Sequence, residues 1–223
     1  MAHDKSMDSY LDHETRYRGE GTVQKRASVR ILICGVGALG SRLLDSLIRQ
    51  GYSSVTVLDK DRVDRDNLGT QNYGLDDVGR MKATQCSIQS FRRLKIKVGV
   101  VEKELTPSNA SKLLKGFDLV IDMFDNAKSR NLVRDTCKAL GTECLHVGMS
   151  GDGFAEIEWN AYYTAYEAPV DEDTPCEYPL AANLVYISVA LASEIVNGFV
   201  DEGQKRSIQF TLKDMNVDLK PRL

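Results

Sequence analysis

Gly35-Val36-Gly37-Ala38-Leu39-Gly40 is a G-x-G-x-x-G run, and its setting constrains this chain more than any other feature. It follows Val29-Arg30-Ile31-Leu32-Ile33-Cys34, a short apolar run with β-branched residues that suits a buried strand. It opens a stretch in which Leu39, Leu43, Leu44, Leu47 and Ile48 share one helical face, closed by Gly51. Strand, glycine turn and helix in that order form a phosphate-cradling unit. The first glycine makes the turn, the second lets backbone approach a phosphate, and the third lets helix and strand pack closely. The helix N-terminus adds unpaired N–H groups and partial positive charge. Asp59 comes nineteen residues after Gly40, ending a second strand begun at Val55, where a carboxylate accepts hydrogen bonds from ribose hydroxyls. The motif points to an adenine nucleotide. By itself it does not separate NAD from ATP, and a glycine turn with no ligand is the plainer alternative.

The strand–helix alternation continues. Strands are expected at 98–101, 117–123 and 143–147, with a short helix at 107–114 capped by Thr106 and an amphipathic helix at 127–140. The last third differs. Phe154–Tyr163 alternates like a strand with one exposed face, 180–196 is a long apolar helix, and 207–212 with 217–219 reads as a closing β pair. The expected fold is α/β: a Rossmann-like, mostly parallel sheet flanked by helices, with antiparallel strands added in the C-terminal third. Residues 1–28 read as a polar arm, mobile unless something docks it, and 29–223 as the nucleotide-binding domain. A length of 223 residues has no room for two full catalytic domains.

Composition narrows the class. The chain is 42% hydrophobic and 27% charged, which is globular. Its 29 Lys and Arg against 32 Asp and Glu, net −3, disfavour a densely basic nucleic-acid binder. No apolar run approaches the roughly 20 residues that span a bilayer, and the first thirty residues lack an apolar signal core. Five cysteines, odd in number and without a C-x-x-C pair, argue against a disulfide framework and a Cys₄ zinc site. A cytoplasmic location is expected.

The segment Asp59-Lys60-Asp61-Arg62-Val63-Asp64-Arg65-Asp66-Asn67-Leu68-Gly69-Thr70-Gln71 lies at the carboxyl end of a strand, where ligands sit in such sheets. Asn67, Gln71 and, later, Lys82 suit a phosphate tail, whereas Asp64, Arg65 and Asp66 read as a solvated face. Asp122-Met123-Phe124-Asp125-Asn126 brings a carboxylate and an amide to the same edge, and a carboxylate facing an ATP tail can hold Mg²⁺.

Four ordered blocks, GVGALG, LDKDRVDRDNLGTQ, VGRMKA and DMFDNAKSRN, resemble the ThiF/MoeB/HesA family of adenylating enzymes related to ubiquitin-activating enzymes, over about residues 29–219. The resemblance implies ATP and Mg²⁺, with adenylation of the C-terminal carboxylate of a small ubiquitin-like or sulfur-carrier protein, or of a peptide. One relative acts on a tRNA-borne carboxyl group, so tRNA is the exception to an otherwise protein or peptide partner. It implies a nucleotide site at Gly35, Gly37, Ala38 and Gly40, with Asp59 on the ribose. Asp61, Asn67, Gln71, Lys82 and Asn126 complete that site. Lys82 addresses the phosphates, and Asp125 sits by the Mg²⁺ and the attacked phosphorus. A homodimer is implied, with Arg16 or Arg18 reaching across from the N-terminal arm.

Three departures stand out. Thr70 occupies the place of the family's arginine in the N-L-x-R-Q block. The two zinc-binding C-x-x-C pairs are absent, so no zinc is expected. The crossover that carries a catalytic cysteine in relatives is cut to DEDTPCEYPL, where acidic neighbours oppose ionisation of Cys176. Cys34, Cys137 and Cys144 fall on strand or helix patterns and read as buried hydrophobes. His146 reads as a packed strand residue. Trp159, Tyr162, Tyr163 and Tyr166 read as a docking surface for a protein tail or, in preference, as a sheet face covered by a partner subunit. The alternatives are a non-catalytic nucleotide-binding partner subunit and an NAD-dependent oxidoreductase.

Overall fold

The computed structural model describes residues 9–161, 163 and 180–220. Its elements run α1 (Asp12–Arg18), α2 (Glu20–Ser28), β1 (Ile31–Cys34), α3 (Ala38–Arg49), β2 (Val55–Leu58), α4 (Lys82–Leu94), β3 (Gly99–Val101) and α5 (Ala110–Leu114). They continue with β4 (Leu119–Asp122), α6 (Ala127–Leu140), β5 (Glu143–Met149), β6 (Phe154–Trp159), α7 (Ala182–Glu202), β7 (Ile208–Thr211) and β8 (Asn216–Leu219).

The strands form one sheet in the order β3-β2-β1-β4-β5-β6-β7-β8. Pairings from β3 to β5 are parallel and those from β5 to β8 antiparallel, as the sequence pattern implies. Side-chain alternation divides the core. Ile31 and Ile33 face a layer built from α3, α4 and α7, while Leu32 and Cys34 face α5 and α6. Both faces are covered, which is why β1 reads as an unbroken apolar run. The chain builds β1, β2 and β3 outward on one side, then crosses to β4 on the other side of β1. That reversal opens a crevice at the carboxyl ends of β1 and β4, the expected ligand position in such sheets.

Several elements differ from expectation. Residues 9–28 form a short 3-10 turn and two helices docked on the C-terminal half of α7, so the arm has the docking that the sequence reading left open. Val23 is buried, and the guanidinium of Arg26 is fully buried. It donates to both Asp201 oxygens (2.6 and 3.1 Å), to Glu14 (3.1 Å) and to the Gln50 carbonyl (3.0 Å). A buried cation persists only when paired in this way, and polar composition conceals such a site. Helix α4 carries an apolar stripe through Ala83 and Cys86 that sequence reading passed over. The Thr106 cap is not made by its side chain. Asn109 Oδ1 instead accepts the Thr106 N–H at 2.9 Å ahead of a shorter helix.

Trp159 is 1% exposed and packs on Phe199 of α7, so it belongs to the chain's own core and not to a face awaiting a subunit. Tyr162, Tyr166 and Cys176 lie outside the described residues. By length and composition α7 could cross a membrane, contrary to the run lengths read from sequence, with a mean hydropathy of 1.4 over 18 residues. Just over half of that window, 56%, is buried in the fold.

Candidate nucleotide site

The turn after β1 is built as its glycines demand. Gly35 has φ +87°, and a Cβ there would meet the Met123 carbonyl oxygen at 3.0 Å. A Cβ on Gly40 would lie 1.9 Å from the Gly35 carbonyl oxygen, so only glycine lets α3 start so close to β1. Gly37 is different. The nearest atom to a Cβ there is Gln71 Nε2 at 3.9 Å, which leaves the middle of the cradle open. Tyr73 buttresses the turn from below, its buried hydroxyl donating to the Val36 carbonyl at 2.7 Å.

Asp59 closes one side. Its Oδ2 accepts the Val36 N–H and its Oδ1 the Asp61 N–H, both at 2.8 Å. Burial raises its carboxyl pKa, while those two N–H groups and the Lys82 ammonium oppose the rise. A carboxylate has about four lone-pair positions, so two remain for a ribose. Lys82, the first residue of α4, is itself buried. Its Nζ stands 3.8 Å from Asp61 Oδ2, and its N–H donates to the Asp61 carbonyl at 2.9 Å. That bond brings a lysine distant in sequence to the acidic strand end. Asn67 Oδ1 caps its own 3-10 turn by accepting the Asp64 N–H at 3.0 Å, so its amide hydrogens are what it can offer a phosphate.

The other side is the turn after β4. Asp125 is exposed there, with Asn126 Nδ2 donating to it at 3.3 Å. Asn126 also caps α6, its Oδ1 accepting the Ser129 N–H at 2.8 Å. Beneath this turn lies a buried polar cluster that sequence reading did not assemble. Asp122 Oδ2 is 2.8 Å from His146 Nδ1, and His146 Nε2 is 2.8 Å from Asn160 Oδ1. The His146 ring stacks on Tyr163 at 3.9 Å and 9°. Arg130 donates to the Tyr163 hydroxyl (2.7 Å) and to the carbonyls of Phe124 (2.9 Å) and Val147 (3.0 Å), with Nε 3.7 Å from Asp122. This cluster ties the carboxyl ends of β4 and β5 to the end of β6 and fixes the height of the Asp125 turn. Asp122 and Arg130, both in DMFDNAKSRN, are its visible traces in the sequence.

The sequence-named residues Gly35, Gly37, Ala38, Gly40, Asp59, Asp61, Asn67, Gln71, Lys82, Asp125 and Asn126 fall on the turns and helix starts around this crevice. Arg16 and Arg18 are not brought to it within this chain. Arg16 pairs with Asp12 at 2.7 Å, and Arg18 donates to Glu194 at 2.6 Å and to Glu14 at 3.1 Å, on α7 and α1. Cys34, Cys137 and Cys144 are buried as expected, and burial pushes the Cys34 and Cys144 thiols well above their usual range. No cluster of three or more metal-ligating side chains occurs among the described residues.

A family model described as the ThiF family matches residues 12–193. The chain belongs to the ThiF family. Relatives include a sulfur carrier protein adenylyltransferase from Thermus thermophilus, 39% identical over 120 residues, covering 52% of this chain and 43% of the relative. A SAMP-activating enzyme E1 from Haloferax volcanii is 33% identical over 147 residues, covering 63% of this chain and 53% of the relative. The matched segments thus span about half or less of those relatives. Among solved structures, E. coli MccB with AMPCPP and MccA superposes with a TM-score of 0.81 at 15% identity, covering 98% of this chain and 72% of that one. E. coli tRNA N6-threonylcarbamoyladenosine dehydratase with ATP gives 0.64 at 24% identity, covering 70% and 68%. At these identities the likeness speaks for the fold.

Proposed function

We propose that this ThiF-family chain binds ATP and adenylates a carboxylate at the C-terminus of a small ubiquitin-like or sulfur-carrier protein or of a peptide, releasing pyrophosphate. The observation that carries the reading is one crevice holding an open glycine cradle, a buried Asp59, the ammonium of Lys82 and the exposed carboxylate of Asp125. The residues fit the nucleotide. Gly37 leaves room where Gly35 and Gly40 leave none, and the atom nearest that room is Gln71 Nε2, whose N–H₂ can donate to a phosphate oxygen.

In this mechanism Gly37 and Ala38 receive the phosphates at the start of α3, Asp59 takes the ribose hydroxyls, and Lys82 with the amide of Asn67 faces the phosphate tail. An oxygen of the substrate carboxylate forms a bond to the α-phosphorus as the bond from that phosphorus to the bridging oxygen breaks, and pyrophosphate leaves. The attacking carboxylate, with a pKa near 4, is already ionised at neutral pH and needs no base. The chain therefore contributes position and charge. Asp125 is the residue that would hold Mg²⁺, which commonly takes one or two carboxylates and completes its shell with phosphates and water; the ion would supply positive charge as pyrophosphate departs. A cytoplasmic homodimer, in which Arg16 or Arg18 of one copy serves the other, belongs to the same proposal.

The test is ATP–pyrophosphate exchange with tail peptides ending in Gly-Gly. Asp125→Ala is expected to reduce exchange by about a hundredfold or more while leaving the unfolding midpoint nearly unchanged, because the side chain is exposed. Unchanged exchange would refute its role. Thr70, in place of the family's arginine, favours one second reading, a nucleotide-binding subunit that needs a catalytic partner. ATP binding without exchange, with exchange restored by a second protein, would establish it.

A further inference from the structure

Residues 70–72 overhang the glycine cradle and are stitched to the first turns of α3 by two adjacent side chains. Ser41 Oγ accepts the Asn72 N–H at 3.0 Å and donates to the Gly37 carbonyl at 2.6 Å. Arg42 donates through Nε to the Thr70 carbonyl at 2.6 Å and through Nη2 to the Gln71 carbonyl at 3.2 Å. Its guanidinium lies over the ring of Tyr186 on α7, 4.5 Å from the centroid, and Tyr186 is 54% exposed. A planar guanidinium presents its donors in a fixed fork that suits two successive carbonyls, whereas an ammonium on a flexible stem holds no such fixed geometry.

With its carbonyl held by Arg42 and its N–H donated to Asn67 at 2.8 Å, Gln71 has its side-chain amide beside Gly37. Gln71 Oε1 is buried and unpartnered, and buried polar atoms are rarely left so. The two ends of an amide exchange by rotation, so either the oxygen or the N–H₂ can meet a ligand over Gly37. Phosphate oxygens accept hydrogen bonds, which selects the N–H₂.

We propose that Arg42 is a positioning residue for the nucleotide site, a guanidinium latch between α7 and α3 that holds Gln71 over the phosphate cradle. The inference rests on the nucleotide reading above. Arg42 acts through the backbone of residues 70–71, so its effect passes through Gln71 and not through its own charge.

The experiment measures the Kd of ATP·Mg²⁺ by isothermal titration for the full chain and for Arg42→Ala, Gln71→Ala, the double variant and Arg42→Lys. Each single alanine is expected to weaken binding by about tenfold, the scale of one hydrogen bond to a charged group. The double variant is expected to be no weaker than either single one, because both remove the same contact. Arg42→Lys is expected to stay near Arg42→Ala. Arg42→Gln, which keeps much of the aliphatic stem, takes the place of Arg42→Ala in the cycle if the alanine variant does not fold. Unchanged binding in Arg42→Ala, losses that multiply to about a hundredfold in the double variant, or recovery by lysine would each overturn the latch. Failure of the unaltered chain to bind ATP would overturn the nucleotide reading itself, and the latch with it.

Discussion

Two buried carboxylates end the strands that flank β1, and they are held in different ways. Asp59, after β2, is satisfied by backbone N–H groups of Val36 and Asp61. Asp122, the last residue of β4, accepts one backbone N–H, from Phe124 at 3.1 Å, but its main partners are the side chains of His146 and Arg130. The Asp59 half of the site is thus made by chain geometry. The Asp122 half is made by side chains from three other elements. A backbone-built half tolerates nearly any side chain that leaves the glycine turn intact, whereas a side-chain-built half fails when any one member is removed.

Glycine replacements test this contrast most strongly. Gly40→Ala places a methyl carbon 1.9 Å from the Gly35 carbonyl oxygen, where neither backbone segment can yield. Loss of about 4 kcal/mol or outright failure to fold is expected in chemical denaturation. Next comes Arg130→Met, which leaves Asp122 with its histidine and no cation. Removing one member of a buried charge pair costs about 3 kcal/mol, and exchange activity should fall further than stability because the Asp125 turn loses its support. An unchanged denaturation midpoint would show that the cluster does not hold the second half together.

Gly148→Ala sharpens the comparison, since its added carbon would stand 3.3 Å from Arg130 Nη2, the end of a side chain that can shift. A cost of about 1 kcal/mol is expected, well below that of Gly40→Ala, and equal costs would contradict the distinction between a backbone wall and a side-chain wall. The smallest effect belongs to the exposed pair at the other end of the sheet. Hydrogen bonds from the Arg30 guanidinium and N–H hold the Asp118 carboxyl below its ordinary pKa. Arg30→Gln should let it rise toward the usual value in an NMR titration. Because the native value is depressed, the stability from this pair is present above the unfolded pKa and is lost as pH falls through the native one. The difference between the two proteins should therefore close in acid.

The legible parts of the site are those whose partners are near in sequence. Gly35 to Gly40 and Asp59 could be read because turn, helix start and strand end follow one another within a single βαβ unit. Lys82 and Asp125 could be placed near the phosphate tail from the polar strand ends, but their separate roles came only through resemblance to a family, since nothing local marks a lysine at a helix start as a phosphate ligand. His146, Tyr163 and Asn160 were not legible as site residues, because a histidine in an apolar strand has the same pattern whether or not it meets a carboxylate. Arg42 gave no signal at all, being one arginine in an amphipathic helix. The N-terminal helices show the same limit: their polar composition suggested an arm, and contacts far along the chain, Arg26 with Asp201 and Arg18 with Glu194, dock them.

By itself, the sequence determined the strand–helix alternation, the parallel front and antiparallel back of the sheet, the glycine cradle and the burial of Cys34, Cys137 and Cys144. These follow from short-range periodicity and from backbone conformations that one residue type permits. The tertiary structure alone decided which side chains neutralise Asp122, what covers Trp159, how residues 9–28 dock, and which arginine holds the 70–72 loop to α3. Those pairings span from eight residues, Asp122 to Arg130, up to 175, Arg26 to Asp201. The energy of each depends on geometry and desolvation at the meeting point, and no local pattern in the chain records either.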